Sequence, residues 1–511
     1  MKESINCWLR TLAVAMVISG GATAVAQDAS ASEAIEIADR RQLFVDRSLI
    51  ERMDGLSLKL HEPASGGVAI RLDKPWEGPV NFGHAILRVG GRFLMYYRGM
   101  TLDEDDTGVS CVATSHDGVE WTKPELGLVE RAGNRDTNII ADEAGRPLSV
   151  TPWLDTRPGV PENERIKAVH SQPLSGEKHT PFRDPKGPKR LVMWASADGF
   201  RFRKMDPQPE IVSHLKNSFD GGNTMFWSEV EQAYVLYYRF WDTKRTMART
   251  SSKDFVHWST HRPMTYGDTP REHLYTNNTM PYFRAPHVYV ALAARFMPGR
   301  RVVTDEKARA IGLKSSHGYF YFNDCSDGVL MTTRPGSTEY DRTFMEALVR
   351  PGPGPENWVS RTNYPLTGIF PHGEHGMMFW VTRHYMQETW HIEQMLLRLD
   401  GFASVHAPYS EGEMVTKILV FEGKELEINY RTSAAGGLRV EIQGADGDPL
   451  PGYTLEECPE IIGDEVARIV TWKGGSDVRR AAGKPIRLRF TLQDADLYSF
   501  RFRTDGVLSK N

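Results

Sequence analysis

Short apolar, aromatic-rich runs alternate with polar turns from about residue 38 to about residue 405. Gly91-Arg92-Phe93-Leu94-Met95-Tyr96-Tyr97-Arg98 matches Ala233-Tyr234-Val235-Leu236-Tyr237-Tyr238-Arg239, and 191–195 and 377–381 are runs of the same kind. Runs of this length bounded by turn signals predict strands. A recurring polar turn follows them. Ser115-His116-Asp117-Gly118-Val119-Glu120-Trp121 returns as Ser196-Ala197-Asp198-Gly199-Phe200-Arg201-Phe202 and as Ser252-Lys253-Asp254-Phe255-Val256-His257-Trp258, with weaker echoes at 333–340 and 399–405. In such a turn the Asp accepts from backbone amides and Gly supplies positive φ, so a tight hairpin closes. The ring that follows is expected to plug the space between neighbouring sheets. Repetition at this spacing predicts a β-propeller, whose radial closure protects its sheet edges. Five blades are expected, with 41–46 supplying a closing strand.

From Gly412 the pattern changes to alternation with period two, at 418–421, 426–430, 438–442, 468–472, 486–490 and 497–502. That predicts a small antiparallel β-sandwich. The expected fold class is therefore all-β: a five-bladed propeller over 33–408, then a C-terminal sandwich over 412–506. The one helix expected inside the propeller is 305–311, as a rim insertion.

Composition sharpens this picture. With 45 Gly and 30 Pro among 511 residues, long helices have little room, and 10% aromatics exclude a disordered chain. Lys and Arg number 62 against 66 Asp and Glu, so no basic surface for nucleic acid is expected. Residues 1–26 have the layout of a signal peptide: Lys2 and Arg10, an apolar core over 11–18, then Ala24-Val25-Ala26 before Gln27. The apolar core is too short for a membrane span. A secreted or periplasmic protein, cut after Ala26 and not membrane-bound, is expected. Cys111, Cys325 and Cys458 are then left, an odd number read as ordinary buried residues rather than a disulfide scaffold.

Signal peptide, five blades and C-terminal sandwich together resemble secreted glycoside hydrolases of the fructosidase and arabinanase type. The Ser-x-Asp-Gly-x-x-Trp turns also resemble the Asp-boxes of sialidases, which have six blades. Leu43-Phe44-Val45-Asp46, Phe219-Asp220-Gly221-Gly222-Asn223, Leu274-Tyr275-Thr276-Asn277, Arg284-Ala285-Pro286-His287 and Glu346-Ala347 before Arg350-Pro351-Gly352 are similar to bacterial proteins described as glycosyl hydrolase family 32 N-terminal-like. The resemblance implies the fold more than the reaction. It also has a departure: arabinanase-type enzymes open the first inner strand with a catalytic Asp, at a place like Gly83, which here has no carboxylate. Phe182-Arg183-Asp184-Pro185 resembles the Arg-Asp-Pro motif of fructosidases but lies in a Gly/Pro/Lys-rich stretch and is read as a coincidental loop.

Glycoside hydrolysis needs two carboxyl groups, one to protonate the leaving oxygen and one ionised as nucleophile or base. Carboxylates that precede inner strands are the candidates: Asp220 first, then Asp155, with Glu346 or Glu374 as the acid. Asp117, Asp198 and Asp254 belong to the recurring turns and are structural. Substrate contacts are expected from His84, Arg98, Asn223, Arg239, Tyr275, Asn277, Arg284, His287 and Arg361. Several guanidiniums in one funnel would suit an acidic sugar, uronic or sulfated. No cofactor is expected, and no metal either, because His372-Gly373-Glu374-His375 with His384 matches no ligand spacing. The expected function is hydrolysis of a glycosidic bond. A carbohydrate-binding propeller without catalysis and a polysaccharide lyase are the alternatives.

Overall fold

The computed structural model of the protein describes residues 34–103, 106–177, 187–314 and 320–504. The signal-peptide reading and the 182–185 motif fall outside them.

Five small antiparallel sheets follow one another, as the repeat predicts. Blade one is Phe82–Val89, Arg92–Gly99 and Val109–Ser115. Blade two has Thr151–Leu154, Ile166–Pro173, Lys189–Ser196 and Arg201–Lys204 at its centre. Blade three is Thr224–Ser228, Ala233–Asp242, Lys244–Ser252 and Arg262–Pro263. In blade four, His273–Thr276 and Thr279–Tyr282 both pair with Ala285–Met297, which pairs in turn with Cys325–Thr333. Blade five builds on Gly376–Arg383 and His391–Arg398.

Ring closure uses two devices. Ala64–Arg71 pairs antiparallel with His391–Arg398, so a segment preceding blade one completes blade five. Beside the axis, the inner strand of blade one meets blade five: the Ile86 amide donates to the Thr367 carbonyl at 2.8 Å and the Thr367 amide to the His84 carbonyl at 3.1 Å. The expectation that 41–46 closes the ring is corrected here. Gln42–Leu43 pairs with Ile486–Arg503 in the C-terminal sheet, and Ile35–Ala38, Ile50–Asp54 and Ser57–Leu60 join that sheet too. Residues 35–60 thus belong to the C-terminal domain, not to the propeller's first blade. Their pairing depends on partners more than 340 residues away, which local pattern does not disclose.

The C-terminal domain is a ten-stranded sheet dominated by Glu425–Gly444 and Ile486–Arg503. Register shifts between Asn429/Tyr430 and Thr432/Gly437 bend the first of these around its core. Leu426, Ile428, Tyr430, Leu438, Val440, Leu488, Phe490 and Phe500 alternate inward to fill it. The expected rim helix is Asp305–Ala310, its N-terminus capped by Thr304, whose Oγ accepts from the Lys307 amide at 3.2 Å. Cys111, Cys325 and Cys458 are buried free thiols. Among the described residues no helix is long and apolar enough to cross a membrane.

Candidate functional site

A cleft of about 730 Å³ lies at one end of the propeller axis, where all five blades contribute to its wall. The loop before the inner strand of blade three builds one side. Phe219 sits at φ +60°, followed by Gly221 at +89° and Gly222 at +66°. A bulky residue at positive φ is strained and persists only where neighbours hold it. Here the Phe219 amide donates to the Arg239 carbonyl at 3.0 Å, and the Phe219 carbonyl accepts from the Gly221 amide at 2.9 Å and from Asn223 Nδ2 at 3.1 Å. Gly222 is wedged against Thr276, whose Cα would lie 3.1 Å from a Cβ at that position, and its carbonyl accepts from Asn277 Nδ2 at 2.7 Å. The result is an Asp220 presented to the cleft from a fixed backbone.

Asp220 Oδ2 accepts from buried Arg239, whose second terminal nitrogen donates to the Tyr275 carbonyl at 3.0 Å. The Arg239 guanidinium also lies 4.1 Å from the centroid of the Tyr275 ring. Two more guanidiniums share that ring: Arg245 at 5.1 Å and Arg361 at 5.7 Å from the centroid. Arg245 packs as well on Trp241 and Phe296, each at 4.6 Å. Arg361 donates to Tyr385 Oη at 3.1 Å and has φ +63°, its own amide donating to Ser326 Oγ at 3.0 Å. Burial pushes the Tyr275 phenol up, but the charges of Arg361, Arg239 and Arg245 outweigh it and hold the pKa below the ordinary value.

Across the cleft stand His84, Arg98, His170 and Trp194. Burial, reinforced by the Arg98 charge, pulls His84 down to about 3, so its imidazole is neutral at physiological pH. Arg98 Nε donates to the Val80 carbonyl at 3.3 Å, and His170 Nδ1 lies 2.9 Å from the Ser149 carbonyl. Asn223 Oδ1 is buried at the cleft wall with no hydrogen-bond partner among the described residues. The carboxylates among the described cleft-lining residues are Asp220 and Glu177.

The residues singled out from sequence divide sharply. Asp220, His84, Arg98, Asn223, Tyr275 and Arg361 line the cleft, and Arg239 and Asn277 support it from behind. The remaining five do not line it. Asp155 is wholly buried, accepting from Lys167 Nζ at 2.5 Å, Tyr234 Oη at 2.9 Å and the Arg157 amide at 3.0 Å; it ties blade two to blade three. Glu346 is exposed on a loop, and nearby Arg350 bonds Glu62 at 2.6 Å. Glu374 is exposed in the hairpin turn between Phe370–His372 and Gly376–Arg383. Arg284 bonds Asp400 at 2.8 Å and His287 Nε2 lies 3.4 Å from Gln42 Oε1, both at the seam with the C-terminal domain. The four carboxylates named from sequence therefore do not converge on one site.

Sequence reasoning missed Arg245 and Glu177. Arg245 could have been found from strand alternation. Arg239 and Trp241 lie two apart on one face, and across the tight turn Trp241 pairs with Arg245, which puts all three on that face. Glu177 has no such signal. Among the described residues no group of three His, Cys, Asp or Glu is placed to hold a metal ion.

No family model matches the chain, and no curated protein does. Solved structures with a similar chain course include an N-acetylgalactosamine deacetylase from F. plautii in complex with blood group B trisaccharide, at 10% identity and TM-score 0.42, covering 68% of this chain and 97% of that one. A fructofuranosidase from Schwanniomyces occidentalis complexed with fructosylnystose matches at 10% identity and TM-score 0.37, covering 87% and 99%. A β-1,2-mannobiose phosphorylase from Listeria innocua matches at 9% identity and TM-score 0.41, covering 68% and 98%. Likeness of this order assigns neither substrate nor reaction to the chain.

Proposed function

We propose that the protein is a secreted glycoside hydrolase that cleaves a glycosidic bond of an oligo- or polysaccharide in the axial cleft. The observation that carries this reading is Asp220, fixed at the cleft by a strained loop. Its Oδ2 is oriented by Arg239, while Oδ1 accepts no hydrogen bond among the described residues and is open to a ligand. A carboxylate held in this way suits the nucleophile or base of glycoside cleavage, and Glu177 is then the carboxyl left to protonate the leaving oxygen. Trp194, half-buried in the cleft wall, offers a stacking surface for a sugar ring. Export rests on the layout of residues 1–26, and the mature N-terminus is expected at Gln27.

Reducing-sugar release from a polysaccharide panel tests the reading. Asp220→Asn should lower the rate on the active polysaccharide by about 10³-fold, and Glu177→Gln by about 10²-fold. Undiminished cleavage by Asp220→Asn overturns the assignment. A second reading, a carbohydrate-binding propeller without catalysis, is favoured by the exclusion of Asp155, Glu346 and Glu374 from the cleft. Calorimetric glycan binding with no product after prolonged incubation would select it.

A further inference from the structure

We infer that the cleft contains an oxyanion subsite made by the guanidiniums of Arg245 and Arg361 around Tyr275. It takes a carboxylate, sulfate or phosphate group of the ligand.

The argument begins with how this chain treats its other buried arginines. Arg41 is matched by Asp400 and Glu427, Arg249 by Glu231, Arg295 by Asp327 and Glu272, Arg342 by Glu272, and Arg383 by Glu393. Arg239, behind the cleft wall, is matched by Asp220. Arg245 and Arg361 depart from the rule. Neither has a carboxylate at salt-bridge distance among the described residues, although both pack on the ring that Arg239 already occupies. The Arg245 guanidinium makes no hydrogen bond among the described residues and is enclosed by Trp241, Tyr275 and Phe296; the Arg361 guanidinium donates there to a phenol, Tyr385.

Gathering like charges in a half-buried place is unfavourable unless an opposite charge joins them. The fold nevertheless holds them there. Three aromatic rings enclose one guanidinium, and a left-handed backbone at Arg361, pinned by Ser326, delivers the other. Cation–π contact with these rings offsets part of the repulsion, and Arg245 and Arg361 both form part of the cleft lining. Guanidiniums present paired donors that match the oxygens of carboxylate, sulfate and phosphate. On the opposite wall Arg98 also has no carboxylate partner among the described residues, of which Glu177 and Asp220 are the negative groups lining the cleft. The inference rests on the same cleft being the saccharide site, and it narrows the substrate to a sugar bearing an anionic group, or to a sugar that enters together with a free inorganic anion.

Calorimetric titration of the full-length mature protein at low ionic strength tests it, with galacturonate, inorganic sulfate and inorganic phosphate as probes and galactose as the neutral control. Oxyanion binding is expected, weakened about tenfold or more by Arg245→Met and by Arg361→Met, partly kept by Arg245→Lys, and unchanged by Arg468→Met in the C-terminal domain. Added salt should weaken it further. Thermal melts of the unliganded variants identify any that fail to fold, and Tyr275→Phe, which keeps the ring, should still bind. Galacturonate binding without inorganic-ion binding places the anion on the sugar; binding of phosphate or sulfate alone makes it a separate small anion. No binding by any anion, or binding that neither Met variant weakens, overturns the inference. Cleavage of neutral glycans without anion binding rejects this subsite and keeps the hydrolase reading, whereas anion binding without any cleavage does the reverse.

Discussion

Gly83 opens the inner strand of blade one at the place where the family resemblance calls for a carboxylate. A Cβ there would lie 2.5 Å from Leu366 Cδ1 and 2.6 Å from Leu366 Cγ. Leu366 is buried in the adjoining blade and has nowhere to swing. The missing acid is therefore a packing requirement as much as a chemical departure, and the described carboxylates of the cleft, Asp220 and Glu177, come from blades three and two instead. Gly83→Asp should add no glycan cleavage and should lower unfolding stability by about 1–3 kcal/mol, read as a reduced urea midpoint. An unchanged midpoint contradicts the clash. Charge alone does not mark a functional residue here: Asp220 precedes the inner strand of blade three and faces the cleft, whereas Asp155 follows the inner strand of blade two, Thr151–Leu154, and is sealed under Lys167 and Tyr234.

At the scale of the element, the three strong Ser-x-Asp turns are one device used three times. The Ser hydroxyl accepts from the amide three residues on, at 2.8 Å for Gly118, 2.9 Å for Gly199 and 2.9 Å for Phe255. The Asp carboxylate accepts from the next two amides, as Asp117 does from Val119 at 2.8 Å and Glu120 at 3.0 Å. The fourth residue needs positive φ, which Gly118 and Gly199 adopt freely and Phe255 adopts at +72°. Phe255 is kept there by its packing on Trp153, Tyr234 and Trp258. The turns also join blades. Tyr96 Oη donates to the Gly199 carbonyl at 3.0 Å, and Trp121 packs edge-on against Trp380 of blade five. Ser115→Ala should cost about 1–2 kcal/mol, because its buried hydroxyl serves Asp117 and Gly118 together. Denaturant unfolding measures it, and a loss near zero would mean that the turn is held by its rings alone.

At the scale of the whole molecule, the chain's first described segment is woven into its last domain. Asp400, fully buried at the seam, accepts from Arg284, Tyr282 and Ser499, with Arg41 at 3.5 Å, and so gathers groups from both domains. Histidines set the response to acid. Burial holds His61, His287 and His384 down to about 4 and His84 to about 3, against an ordinary value of 6.5. Between pH 6.5 and 4 the unfolded chain therefore binds protons that the folded one refuses, so stability is full above pH 6.5 and falls as the pH drops. Melting temperature should decline through that window, and a flat profile would contradict the burial of these imidazoles. By itself the sequence determined the all-β class, the five blades, the turn chemistry and most of the cleft, because strand period and turn geometry are local and repeat. Only the tertiary structure decided that 35–60 leave the propeller, that Asp155, Glu346, Glu374, Arg284 and His287 lie outside the cleft, and that Arg245 and Glu177 lie within it. Those outcomes depend on which distant partner satisfies each charge and strand edge, and a linear pattern carries no record of that choice.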